Sequence, residues 1–218
     1  YGVREDLKRG LLCLSVNPTE SAHEWGELCT LLKTRKVETI DLIVADGIIG
    51  LEEEIHRVFP SSQFQKCVVH KIRNILNKTR PKDKASMAED LKEVFGNFQN
   101  DATLQQVMKK VDDFCKKWKG KYPNIQRFFP EDTLEYYFTY IQFDTRVRRM
   151  IYTTNSIENL NKIIRKATKN KLSFESPGTL LDYVFMVLKE FEEKNFMKYP
   201  ICEFRHFNSK EEDQTQLS

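Results

Sequence analysis

The hydrophobic period of this chain changes once, near His70, and that change limits the folds open to it. Before it, short apolar runs alternate with helical spacings. Gly10–Val16 predicts a short buried strand. Asn17-Pro18-Thr19-Glu20 predicts a helix start capped by Thr19, with Ala22, Trp25, Leu28, Cys29 and Leu32 on one face. Ile40–Ala45 predicts a second strand, stopped by Asp46-Gly47. A helix carrying Ile49, Leu51, Ile55 and Val58 follows and ends at Pro60, and Phe64–Val69 predicts a third strand. Strand alternating with helix implies an α/β sheet.

After His70 only helical spacings remain up to about residue 148. Ile72, Ile75 and Leu76 share one face, and Ala88, Leu91, Val94 and Phe95 share another. Asp101 is a candidate cap for a helix holding Leu104, Val107, Val111, Phe114, Cys115 and Trp118. An aromatic patch covers 134–143. Its readings are the core of the helical segment or a platform for unpaired bases. Helices then run from about Ser156 to Thr168 and from about Thr179 to Glu193, before a polar tail. The expected plan is an α/β core, interrupted by an all-helical insertion and closed by helices.

Composition narrows the class. A chain of 218 residues makes one full domain, or one domain with a large insertion. With 40% apolar and 31% charged residues it is too apolar for disorder and too charged for a membrane protein. No apolar run approaches the roughly 20 residues that span a bilayer. The start has neither a signal core nor an initiator Met, so secretion is not indicated and the chain is expected to be part of a longer protein. Five scattered cysteines without a CxxC pair suit reduced, cytosolic thiols. The net charge of +3 is mild, but the cations cluster. One group is Lys71, Arg73, Lys78, Arg80, Lys82 and Lys84; the other is Lys162, Arg165, Lys166, Lys169 and Lys171. No P-loop, GxGxxG or GxSxG motif occurs, so nucleotide hydrolysis and serine-hydrolase chemistry lack support.

Four residues are candidates for chemistry. Asp46 stands at the C-terminal end of a strand, where open α/β sheets place reactive groups, and a carboxylate there suits Mg²⁺. Asp-Gly is also a favourable turn pair. Glu158 opens the basic helix, with Lys162 at i+4 and Arg165 at i+7 on the same face. That spacing fits a metal-bound acid followed by phosphate-binding cations. It equally fits a capping box with Asn155 and a solvated Glu–Lys pair. Cys67 and His70 invite a zinc reading, but structural zinc takes four ligands and no second pair stands at a suitable spacing. They read rather as a strand-end thiol in the core and a turn histidine; beside a basic helix, His70 could instead sit near phosphate or a reacting hydroxyl.

Two blocks together resemble the Mutator-type DDE transposases of bacterial insertion sequences. One runs from Asp41-Leu42-Ile43-Val44-Ala45-Asp46-Gly47 through Val58-Phe59-Pro60 to Cys67-Val68-Val69-His70-Lys71-Ile72-Arg73-Asn74. The other is Ile151-Tyr152-Thr153-Thr154-Asn155-Ser156-Ile157-Glu158-Asn159-Leu160-Asn161. The similarity extends from near residue 1 to about 195. It implies an RNase H-like core holding three metal-binding acids, with Asp46 as the second Asp and Glu158 as the Glu. It also implies a helical insertion between them, Cys67 and His70 as the C/D-x-x-H motif, and Arg165 as the basic residue after the Glu. His70 then joins the acids at the catalytic site. Lys71, Arg73, Asn155, Lys162, Arg165 and Lys166 are expected to contact DNA. Two Mg²⁺ (or Mn²⁺) ions are implied, with terminal-repeat and target DNA as partners, a homo-oligomer, and a cytoplasmic, nucleoid-associated location.

The implied division is 1–70 and 149–198 for the core, 71–148 for the insertion and 199–218 for the tail. The family's first Asp lies on a strand preceding Tyr1. This chain alone is therefore expected to be inactive and, with its central strand absent, poorly soluble. A remnant that only binds DNA or subunits, and an RNase H-like metal nuclease, are the alternatives.

Overall fold

The computed structural model describes residues 1–4, 8–17, 21–96, 98, 102–143, 145, 148, 151, 155–169, 171 and 173–196. They form a mixed α/β chain in two compact units, each discontinuous in sequence. Among the described residues, the first gathers 1–41, 48–62 and 155–196; the second gathers 42–47 and 63–151.

In the first unit, β1 (Gly2–Val3) and β2 (Arg9–Gly10) form a short antiparallel pair. The strand expected over Gly10–Val16 stops at Gly10. The Leu11 N–H goes to the Glu192 carboxylate at 2.8 Å instead of a strand ladder, and Leu11 and Leu14 pack on the closing helices. Helix α1 (Ala22–Thr34) is capped by Ser21 rather than Thr19, which lies outside the described residues. Ser21 and Glu24 form a reciprocal capping box, with bonds of 3.3 and 3.0 Å. Helix α2 (Leu51–Val58) follows Gly50, whose φ of +78° suits glycine. Ile49 was expected on this helix but sits in the turn before it, 96% exposed. Leu51, Ile55 and Phe59 are buried where α2 packs on α1. Gly26 faces the Glu54 carboxylate across this contact: a Cβ there would stand 2.4 Å from a Glu54 oxygen, and that side chain would have to shift.

The closing helices are α7 (Asn155–Thr168) and α8 (Pro177–Phe191). They meet around buried Leu160 and Leu188, joined by Ile164, Val184 and Phe191.

In the second unit, β3 (Leu42–Ala45) pairs in parallel with β4 (Gln63–Lys66), in register Leu42 to Gln63 through Ala45 to Lys66. The third expected strand ends at Lys66, because Val68 and Val69 already belong to α3 (Val68–Asn77). Among the described residues the strands make two separate pairs.

The rest of the unit is helical, as the spacings predict: α4 (Lys84–Phe95), α5 (Leu104–Lys119) and the short α6 (Glu131–Leu134), joined by 3₁₀ turns. Thr103 caps α5 in a capping box with Gln106; Asp101, the expected cap, lies outside the described residues. The core holds Met87, Leu91, Val107, Phe114, Trp118 and the Phe95–Phe138 stack, with centroids 5.1 Å apart. Phe138, Tyr140 and Ile141 of the aromatic patch are buried in it.

Gln65 fastens the strand to the 3₁₀ turns. Its amide accepts from the Tyr140 N–H at 2.8 Å and donates to the Tyr137 carbonyl at 3.1 Å. Thr139 Oγ1 adds a bond to the Phe64 carbonyl at 2.7 Å. Arg148 is buried and donates to the carbonyls of Phe143, Phe98 and Ile141.

Candidate functional site

The β-branched and apolar run Leu42-Ile43-Val44-Ala45 forms β3, and the chain turns out of the ladder at Asp46-Gly47. That turn leaves the Asp46 side chain 53% exposed at the strand's C-terminal end. The Cys67 N–H bonds the Ala45 carbonyl at 2.8 Å and so extends the strand register by one residue. Cys67 then serves as the N-cap position of α3, which puts its side chain and that of His70 on the same first turn. Both features bring α3 against Asp46. His70 Nδ1 lies 2.6 Å from Asp46 Oδ1 and 3.2 Å from Cys67 Sγ. The three donor atoms lie within 4.8 Å of one another. Cys67 is buried, His70 half-buried and Asp46 exposed.

The spacing singled out all three residues, and only the family resemblance implied that Cys67 and His70 lie near Asp46. The contact of 2.6 Å is slightly shorter than the roughly 2.7–2.9 Å of a charge-assisted N–H···O hydrogen bond. With both groups partly in solvent it fixes orientation more than it stabilises the fold.

Sequence reading missed the layer behind the cluster. Lys71 is 8% exposed, with its ammonium 4.5 Å from the Tyr137 ring centre and 5.6 Å from that of Phe129. Burial, with Lys66 nearby, pulls the Lys71 pKa down to about 8. Burial pushes the Tyr137 hydroxyl up, and the charges of Cys67 and Asp46 add to this. A Cβ on Gly47 would stand 3.7 Å from that hydroxyl, so Tyr137 flanks the turn carrying Asp46. Lys66 approaches the rings of Tyr136 and Tyr137. Tyr137 stood in the aromatic patch, but its place at the strand end comes from the bonds of Gln65 and Thr139 between β4 and the 3₁₀ turns.

Glu158 lies in the first unit, on α7, where it is half-buried and makes a further interaction. The capping box with Asn155 rests on a side chain outside the described residues. Lys162, Arg165 and Lys166 are exposed along α7, and Arg73 is exposed on α3. The side chain of Asn155 lies outside the described residues. Of the residues expected to contact DNA, Lys71 is the one found buried.

The donor set of the cluster is mixed. A half-exposed carboxylate at a strand end suits Mg²⁺ or Mn²⁺, which take oxygen ligands. A thiol does not. Asp46 is thus the member of the cluster that fits the implied ions, and their remaining protein oxygens must come from outside it.

Fold and cluster define a mixed α/β domain with an Asp–Cys–His group at a strand end. The family model described as "Transposase, Mutator family" matches residues 1–198, and the chain belongs to that family. The chain is 28% identical over 195 residues to the transposase for insertion sequence element IS905 of Lactococcus lactis, covering 89% of this chain and 48% of that protein. It is 30% identical over 194 residues to a probable insertion-sequence transposase of Corynebacterium diphtheriae, covering 88% and 55%. It is also 30% identical over 192 residues to the transposase for element ISRM3 of Rhizobium meliloti, covering 88% and 47%. The chain spans about half the length of the curated relatives it matches. No helix among the described residues is long and apolar enough to cross a membrane.

Proposed function

We propose that this chain is the part of an insertion-sequence transposase that carries the metal-binding acids Asp46 and Glu158. In this reading the complete protein cuts DNA strands and joins the new 3′ ends to target DNA. The observation that carries the reading is the placement of Asp46 at a strand end beside Cys67 and His70, inside the region the family model matches.

Asp46 and Glu158 are the acids that would hold the divalent ions, two Mg²⁺ or Mn²⁺. Bound there, the ions would stabilise the charge developing on the phosphorus oxygens and activate the attacking oxygen. His70 holds the Asp46 carboxylate by Oδ1 and leaves its second oxygen for a cation. Lys162, Arg165 and Lys166 on α7, with Arg73 on α3, take backbone phosphates of terminal-repeat and target DNA. Lys71 keeps its charge next to the cluster rather than at the surface.

The core is RNase H-like and made of 1–70 and 149–198, with 71–148 inserted and 199–218 as a tail. The complete protein acts as a homo-oligomer on DNA in the cytoplasm.

The test is strand cleavage and joining by the complete transposase on labelled terminal-repeat DNA with Mg²⁺. Asp46→Asn and Glu158→Gln should each abolish both products while leaving DNA binding intact. Cutting that survives Asp46→Asn would remove the basis of the reading. Cutting without joining would favour a nuclease, and binding without cutting in the parent protein would favour a remnant.

A further inference from the structure

We propose that Asp46, Cys67 and His70 form a binding site for a thiophilic divalent cation, Zn²⁺ or Co²⁺, distinct in chemistry from the oxygen-ligated ions of strand cleavage. In sequence, Cys67 and His70 are an isolated pair, too few for zinc. The fold supplies the third donor from another segment, the end of β3. The cluster then offers S, N and O, one atom each, which is the three-ligand set of zinc sites that keep an open fourth position.

The distances fit. Ligand bonds of about 2.0–2.3 Å in a tetrahedron separate neighbouring donors by about 3.3–3.6 Å. The Sγ–Nδ1 distance of 3.2 Å already lies near that range. The Nδ1–Oδ1 distance of 2.6 Å must open by about 0.7 Å, and Asp46, 53% exposed on a turn, has room to move. Charge also fits: a carboxylate and a thiolate together neutralise a divalent ion. On binding, the Cys67 thiol proton leaves to solvent, and His70 exchanges through solvent the Nδ1 proton that it donates to Asp46 in the empty site for one on Nε2, so that Nδ1 can give its lone pair to the ion. Sulfur makes the site selective, because Mg²⁺ does not take thiolate ligands. The ion enters from the Asp46 side, since Cys67 is buried.

The site shares Asp46 with the cleavage reaction, so a bound Zn²⁺ would withdraw that carboxylate and inhibit. This consequence rests on the proposed function; the binding itself does not.

The experiment is Co²⁺ titration of the purified chain by absorption, followed by Zn²⁺. Expected are tetrahedral d–d bands and a thiolate-to-cobalt charge-transfer band, both bleached by one equivalent of Zn²⁺ and unmoved by millimolar Mg²⁺. Cys67→Ser should remove the charge-transfer band, and His70→Ala or Asp46→Asn should weaken binding at least tenfold. Cys67→Ser retains Cys13, Cys29, Cys115 and Cys202. A band that persists in it would put the ion elsewhere and overturn the proposal, as would an octahedral, oxygen-only spectrum in the parent. In the complete transposase, Zn²⁺ should inhibit cutting, and Cys67→Ser should relieve that inhibition. Absence of cutting under any metal would count against the proposed function and leave the spectroscopic result standing.

Discussion

Gln65 is 0% exposed, and its amide links β4 to the 3₁₀ turns that carry Tyr137 and Tyr140, beside the Thr139–Phe64 bond. Replacing it with leucine keeps the volume and removes both functions of the amide. The Tyr140 N–H loses its acceptor and the Tyr137 carbonyl loses a donor. Each buried group left unpaired costs about 1–3 kcal/mol. The added apolar surface returns roughly 1–2 kcal/mol. At the middle of these ranges the net loss is about 2.5 kcal/mol, which lowers the Tm of a chain this size by roughly 5–10 °C. Calorimetric melting of parent and Gln65→Leu measures it.

Gln65→Glu sharpens the test. A carboxylate still accepts from Tyr140 but meets the Tyr137 carbonyl with no proton to donate. Burial then favours its protonated form in the folded state, so the folded chain binds more protons than the unfolded one. The penalty relative to the parent is therefore absent below the unfolded value of about 4.3 and grows as pH rises above it. A Gln65→Leu chain melting within about 1 °C of the parent would refute this account of the link, as would a Gln65→Glu chain equally destabilised at pH 3.5 and pH 7.

Lys71 has its folded pKa lowered to about 8, so the folded chain binds fewer protons than the unfolded chain between there and the usual lysine value. Parent stability relative to Lys71→Met should rise between about pH 8 and 10.4, and urea unfolding at pH 7.5 and pH 10 would register the gain. Asp46→Asn removes a partly exposed pair worth about 0–1 kcal/mol, so thermal melting should barely move while metal-dependent cutting by the complete transposase is lost. Ser21→Ala breaks the α1 capping box and should cost about 0.5–2 kcal/mol by urea denaturation.

The helical segment was legible because its information is local: Leu91, Val94, Phe95, Val107, Val111, Phe114 and Trp118 recur at helical spacing and are all buried. Asp46 was legible for a similar reason, standing where an apolar run meets a turn. The strands were less so. Gly10–Val16 has the composition of a strand, but Glu192, far along the chain, takes the Leu11 N–H. Val68 and Val69 have high strand propensity, yet the ladder ends at Cys67 and α3 begins. The meeting of Asp46 with Cys67 and His70 depends on the parallel register of β3 and β4, which no local spacing encodes. Lys71 looked like one exposed cation among six, and only the positions of Tyr137 and Phe129 explain its burial.

The Gln65 link also sets an order of events during synthesis. Its acceptor duty is to Tyr140, 75 positions later, and Phe64 waits as long for Thr139. At about 5–20 residues per second, the strand leaves the ribosome some 4–15 s before those partners exist. Over that interval β3 and β4 offer unsatisfied amide and carbonyl groups beside apolar side chains. The growing chain is thus most exposed to misassociation after its βαβ segment emerges and before residue 142 does. Slower translation across the intervening helices would lengthen that window without changing the final fold.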